Sequence, residues 1–157
     1  MTTNAQSPTP SPTTAEDPLP TPTATFASVR VITDDVRRLV AFYELVSGRA
    51  ARWATPAFAE VVSDRATLAV AGTGTLALFG QRLAEPAANR SVVIEWFVDD
   101  VDATHDRLRD SVEVVEQVPT TMPWGNRSML LRDPDGNLVN LFTPVTEEAR
   151  ERLRAVS

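Results

Sequence analysis

The sequence predicts an α+β fold built from two similar halves, and three observations carry that prediction. Residues 29–36 read V-R-V-I-T-D-D-V and residues 94–101 read I-E-W-F-V-D-D-V, the same pattern 65 positions apart. Each copy opens with alternating side chains, which marks a strand with two different faces. Each Asp-Asp pair then precedes apolar residues at helical spacing, the pattern of a capped amphipathic helix. Periodicity alone supports a mixed α+β domain and nothing finer.

Residues 1–25 are rich in Thr, Pro, Ser and Ala and hold six of the chain's 12 prolines. Proline removes backbone donors and the segment offers little apolar surface to bury, so a disordered tail is expected. From Phe26 onward, Ser28, Arg30 and Ile32 alternate with Val29, Val31 and Thr33, which gives a strand. Asp34 or Asp35 then caps a helix running to about Ser47, with Val36, Leu39, Val40, Tyr43 and Val46 as its apolar stripe and Gly48 at its C-terminal end. Short strands are expected at residues 50–54, 58–63 and 67–71, with 75–79 as a further apolar strand or strand extension. Residues 81–90, with Pro86, alanines and charges, read as a linker. The second half predicts a strand at 92–98, a helix at 100–110 and strands at 113–118, 128–132 and 138–143. Asp133-Pro134-Asp135-Gly136 is a tight-turn signal in which glycine supplies positive φ. Thr146-Glu147-Glu148 opens a short charged helix within residues 146–157.

At 157 residues and 43% hydrophobic content, the chain suits one domain with a real core. No apolar run is long enough to cross a bilayer and no signal-peptide pattern opens the chain, so a cytoplasmic protein without a membrane partner is expected. The absence of cysteine excludes disulfides, thiolate metal sites and a cysteine nucleophile. All 15 basic residues are arginine, which rules out a lysine Schiff base and a P-loop lysine. A lone histidine, His105, cannot make a multi-histidine metal site. A net charge of −6 argues against a nucleic-acid partner and biases the surface toward cationic small molecules.

The repeated Asp-Asp-Val turn is followed in the second copy by Pro123-Trp124-Gly125, then by Asp133-Pro134-Asp135-Gly136-Asn137 and a short apolar strand. Together these features resemble the vicinal oxygen chelate superfamily of glyoxalases, bleomycin-resistance proteins and extradiol dioxygenases. The resemblance spans roughly residues 26–145. It implies two βαβββ modules, residues 26–80 and 91–145, forming cupped mixed sheets, and a homodimer that covers the sheet edges. In metal-dependent members of that family, first-strand histidines and strand-end glutamates hold a divalent cation. The matching positions here are Ser28, Val93, Asn140 and an apolar residue near Val70 or Leu78. Neither a metal nor another cofactor is therefore expected, and the resemblance points to the metal-free bleomycin-resistance-like branch.

The cupped sheet also implies which side chains would meet a ligand, because residues two apart on a strand share a face. Ser28, Arg30 and Ile32, then Val93, Glu95 and Phe97, then Leu138, Asn140 and Phe142 are expected on the concave side. Val29, Val31, Ile94 and Trp96 are expected against the helices. Arg30 and Glu95 occupy equivalent positions and are expected to meet across a pseudo-twofold axis. The ligand-binding candidates are Arg30, Glu95, Phe97 and Asn140, with Trp53, Phe58, Met122 and Trp124 as walls. Glu60 is left open between cavity and solvent, and His105 reads as a helix-packing or solvent-edge residue rather than a catalytic one. One functional expectation is a binding protein that sequesters a drug-like or cationic natural product without metal chemistry. The other is a metal-free isomerase or cyclase, with Glu95 as general base and Arg30 stabilising an enolate-like charge. A metal-dependent lyase or dioxygenase stands third.

Overall fold

In the computed structural model, residues 24–80 and 83–155 are described, so the expected tail lies almost wholly outside them. The first strand, β1 (Ser28–Thr33), runs into α1 (Val36–Ser47). Asp35 is the residue that caps this helix: its carboxylate accepts a hydrogen bond from the Arg38 N–H at 3.0 Å. Gly48 ends the helix at φ 67°, a left-handed conformation that glycine adopts without a Cβ penalty. All five residues of the expected stripe, from Val36 to Val46, are buried. Three strands follow, β2 (Arg52–Thr55), β3 (Phe58–Val62) and β4 (Thr67–Gly72). β4 pairs parallel with β1 and antiparallel with β3, giving the order β1-β4-β3-β2.

The second half repeats this plan. β5 (Val93–Phe97) leads through the Asp100 cap into α2 (Val101–Leu108), and then come β6 (Val114–Thr121), β7 (Asn126–Arg132) and β8 (Leu138–Pro144). The order β5-β8-β7-β6 matches the first sheet strand for strand. The fold is thus two βαβββ units of α+β type, each with a four-stranded mixed sheet, followed by α3 (Glu147–Ala155).

Two elements depart from the sequence expectation. Residues 75–79 do not form a strand; Thr73–Leu78 is a 3-10 helix. Glycines at 72, 74 and 80 weaken an extended conformation there, and the Thr75 hydroxyl donates to the Gly72 carbonyl at 2.8 Å, which curls the chain. β6 runs to Thr121, past Pro119 and beyond the expected end at 118. It is an edge strand, so the missing proline N–H interrupts no second ladder.

The helices bury the opposite face of each sheet from the one left open. α1 packs on β3 and β4, while α2 packs on β6, β7 and β8. One apolar cluster joins the two units, with Leu39, Tyr43, Val61 and Val70 from the first and Leu108, Met129, Leu131 and Leu141 from the second. Polar ties cross the same boundary. The Tyr43 hydroxyl donates to the buried Asp133 carboxylate at 2.7 Å, and Arg107 donates to the Leu45 carbonyl at 2.7 Å. Burial, and then the Asp133 charge, push the Tyr43 hydroxyl pKa far above the ordinary phenol range. No helix among the described residues is long and apolar enough to cross a membrane.

Candidate functional site

Strand alternation sends Val139, Leu141, Met129 and Leu131 into the core, so their neighbours in sequence line the open face of the second sheet. The register then sets those neighbours in rows. Glu95 lies opposite Asn140, Asn140 opposite Leu130, and Leu130 opposite Gln117. The adjoining row is Phe97, Phe142, Ser128 and Thr120. These two rows make up the floor of the open face of the second sheet.

Five of the expected ligand-binding residues, Glu95, Phe97, Asn140, Met122 and Trp124, lie on this floor or on the loop beside it. Asn140 Nδ2 donates to Glu95 Oε1 at 2.8 Å, fixing the carboxylate. Phe97, 45% exposed, meets Phe142 edge-on with ring centroids 6.3 Å apart. Met122 lies in the β6–β7 loop, where its sulfur receives a long contact of 3.7 Å from the Gln117 amide. Trp124 stands on the same loop, largely exposed, and its carbonyl accepts a hydrogen bond from Arg152 of α3.

That loop depends on Gly125, which sits at φ 88° with Thr146 pressed against it. A Cβ at this position would lie 2.2 Å from Thr146 Oγ1, the atom that caps α3 through the Ala149 N–H. Gly125→Ala should therefore cost about 2–3 kcal/mol, summing the left-handed backbone penalty and the lost cap. A denaturant melt measures this, and a loss below half of that value would show that the Thr146 contact is soft.

Among the described residues, four buried side-chain polar atoms lack a hydrogen-bond partner, and two of them, Ser128 Oγ and Asn140 Oδ1, belong to this floor. A buried polar atom without a partner costs about 1–3 kcal/mol, so such atoms are rare unless something else engages them. Ser128 and Gln117 were not identified from the sequence. Alternation with Met129 and Leu131 was a usable signal for Ser128, but only the strand order brings it beside Phe142.

The remaining candidates are placed elsewhere. Arg30 lies on the open face of the first sheet, its guanidinium 5.2 Å from the centre of the Phe58 ring. Among the described residues no ion pair joins Arg30 to Glu95; each has a partner within its own sheet. Trp53 is not a cup wall. It pairs with Ala59, a core-facing residue, and packs under Arg37 of α1 on the helix side. Glu60, left open by the sequence, falls in the row Arg30–Ala69–Glu60–Arg52 on the open face.

The same register resolves the positions where the family resemblance implies metal ligands. Ala69 pairs with Arg30 as Asn140 pairs with Glu95, so Ala69 is the first-module counterpart of Asn140. Val70 points into the core and Leu78 lies in the 3-10 helix. The four positions are then Ser28, Ala69, Val93 and Asn140. One hydroxyl, one amide and two hydrocarbon side chains do not fit a divalent cation, which takes carboxylate, imidazole or several oxygen donors. No group of three or more His, Cys, Asp or Glu that could hold a metal ion occurs among the described residues.

Comparison with known proteins agrees with this architecture. The sequence matches the profile of the Glyoxalase/Bleomycin resistance protein/Dioxygenase superfamily over residues 25–141. Solved structures share the fold at low identity. A glyoxalase/bleomycin resistance protein/dioxygenase from Nocardioides is 22% identical, with a TM-score of 0.65 over 81% of this chain and 87% of the other. A protein of unknown function from Agrobacterium tumefaciens strain C58 is 19% identical, with a TM-score of 0.67 over 79% and 97%. A glyoxalase/bleomycin resistance protein/dioxygenase family enzyme from Burkholderia phytofirmans PsJN is 17% identical, with a TM-score of 0.66 over 76% and 98%. No curated protein matches the chain. With the profile covering most of its length, the repeat, the two matching sheets and the open cup identify the chain as a member of the glyoxalase/bleomycin resistance protein/dioxygenase superfamily.

Proposed function

We propose that this protein is a metal-independent small-molecule binder that sequesters a drug-like or cationic natural product in the cup of its second module. The observation that carries this reading is the pair of unpartnered buried atoms, Ser128 Oγ and Asn140 Oδ1, on the floor that also holds the Glu95 carboxylate. The exposed Glu95 carboxylate offers acceptor oxygens to a ligand N–H donor, rotation of the Ser128 and Asn140 side chains would add theirs, and Phe97, Phe142 and Trp124 offer aromatic surface to its body. The net charge of −6 favours a cationic ligand at long range.

The half-exposed Val93 and Phe97 leave apolar surface on the open face. A second copy of the chain, in a cytoplasmic homodimer, would cover it. An isomerase or cyclase that uses Glu95 as base requires Arg30 beside it to hold the developing charge. The two side chains stand on different sheets with separate partners, which favours binding over turnover.

Thermal-shift screening of chelator-treated protein against aromatic amines tests the proposal, since a ligand that binds only the folded state raises its stability. Stabilisation without added metal, together with less than stoichiometric Zn²⁺, Fe²⁺, Ni²⁺ or Mn²⁺ by elemental analysis, is expected. One tightly held divalent ion per chain, or stabilisation that needs added metal, would contradict it.

A further inference from the structure

We propose that the open face of the first module is an anion subsite, in which Arg30 and Arg52 receive an oxyanion of the ligand and Phe58 supports its apolar body. The inference rests on the reading of the cup as a ligand site, but on different residues. The register sets Arg30, Ala69, Glu60 and Arg52 in one row across β1, β4, β3 and β2. Ala59, Val61, Leu68 and Val70 face the core from the same strands, so this row faces the opening.

Most arginines of the chain are committed to oxygen acceptors. Arg127 pairs with Asp102 at 2.6 Å, and Arg132 with Glu116 at 2.8 Å. Among the described residues, no oxygen acceptor engages Arg30, Arg37 or Arg52; Arg37 lies over Trp53 on the helix side, so the other two share the open face. A guanidinium presents a planar fork of donors that matches a carboxylate or phosphate-type group. Arg30 is already oriented by the Phe58 ring, 5.2 Å away, which limits the entropy it would lose on binding.

The repeat supplies a second argument, because it shows what occupies the equivalent places in the other module. Where the second floor carries Asn140 and Phe142, the first carries Ala69 and Ala71, opposite Arg30 and Ile32. Two long side chains are replaced by methyl groups, so neither position of β4 offers a polar group that competes for the Arg30 guanidinium, and Ala69 and Ala71 lie covered by their neighbours. The charge at the repeat position is also reversed, with Arg30 standing where the second module has Glu95. Two half-cups of opposite polarity suit a ligand that bears both an oxyanion and a protonated amine.

The acidic groups nearby are Glu60, between Ala69 and Arg52, and Glu85, which borders with Arg30 a cleft of about 210 Å³ at the junction of β1 and β5. Neither forms an ion pair with Arg30 or Arg52 among the described residues, so they reduce the positive potential of the row without occupying its donors.

Calorimetric titration of the full chain with 3-phenylpropanoate and, separately, with 2-phenylethylamine tests this subsite apart from the amine site. Arg30→Gln and Arg52→Gln should each weaken phenylpropanoate binding about tenfold, the usual effect of removing one charge-assisted contact. Glu60→Gln should tighten it by about threefold, in the range of a single partly exposed charge interaction. Glu95→Gln should leave phenylpropanoate unaffected while weakening the amine. Both arginines lie at solvent-facing positions, and unchanged melting curves of the variants confirm that folding is preserved. Where Arg30→Gln alters the melt, Arg30→Lys, which keeps the charge without the fork, should show intermediate affinity. Failure of phenylpropanoate to bind, or affinity unmoved by both arginine substitutions, overturns the anion subsite whatever the amine does. Loss of amine binding with phenylpropanoate retained overturns only the amine reading of the second module.

Discussion

Replacing Asp133 with alanine is expected to destabilise the protein by about 3–5 kcal/mol, the range for removing one member of a buried polar network. The carboxylate is nearly inaccessible and accepts four hydrogen bonds. One comes from the Tyr43 hydroxyl at 2.7 Å and one from Asn137 Nδ2 at 2.7 Å. The others come from the Asn137 and Asp135 backbone N–H groups at 2.8 and 3.0 Å. Alanine leaves all four donors without an acceptor at the boundary between the two modules. Tyr43→Phe removes one donor while Asn137 continues to satisfy the same oxygen, so it should cost less, about 1–2 kcal/mol. Chemical denaturation of the two single variants and the double variant checks this, and the double should cost less than the sum because the residues share one bond.

The same contact predicts a pH dependence. The Tyr43 hydroxyl keeps its proton in the folded state well above the ordinary phenol value of about 10. The unfolded chain releases that proton once pH passes about 10, whereas the folded chain does not. Stability from this group is therefore complete below pH of about 10 and declines as pH rises further. Tyr43 is the chain's only tyrosine, so tyrosinate absorbance reports it alone, and Tyr43→Phe should abolish the decline.

The largest functional effect is expected at Glu95. Glu95→Gln should weaken an aromatic amine by about 10–100-fold, the equivalent of losing a hydrogen bond to a charged group, while leaving the melt nearly unchanged. Ser128→Ala should act in the opposite way on the two quantities. Its hydroxyl is buried without a partner, so alanine should stabilise the free protein by about 1 kcal/mol. Ligand affinity should nevertheless fall, because the bound amine loses an acceptor. Such opposed changes mark a residue kept for binding at a cost in stability.

The repeat offset of 65 residues made most of the fold legible in the sequence, because equivalent strands, caps and helices had only to be read twice. Gly48 and the Asp-Asp pairs act locally, within one turn of their own position, so spacing marked both helix starts, while the choice of Asp35 over Asp34 and of Asp100 came from the backbone geometry. Alternation grouped Glu95 with Phe97 on one face and Asn140 with Phe142, and the family resemblance implied that this face is the open one. What depended on contacts between strands was less accessible. Gln117 and Ser128 join the floor only through the order β5-β8-β7-β6 and through register shifts in β6 that alternation does not reveal. Trp53, expected only as a pocket wall, lies on the helix side of a four-residue β2 whose register shifts between Trp53 and Thr55, a placement that alternation over so short a strand does not fix. Arg30 and Glu95 form no direct ion pair among the described residues. Phe58 and Asn140 stand within reach on the same sheets and engage the two side chains there.

The most direct measurement is nitrogen-15 NMR of the side-chain amides during titration of chelator-treated protein with 2-phenylethylamine. Asn140 and Gln117 lie on the proposed floor, whereas Asn89 and Asn137 are bonded to each other at the junction of the modules and serve as internal controls. The binding account predicts that the Asn140 and Gln117 amide signals move with ligand, that Asn89 and Asn137 stay fixed, and that the movement disappears in Glu95→Gln. Shifts confined to the control amides, or shifts that appear only after a divalent metal is restored, would contradict it.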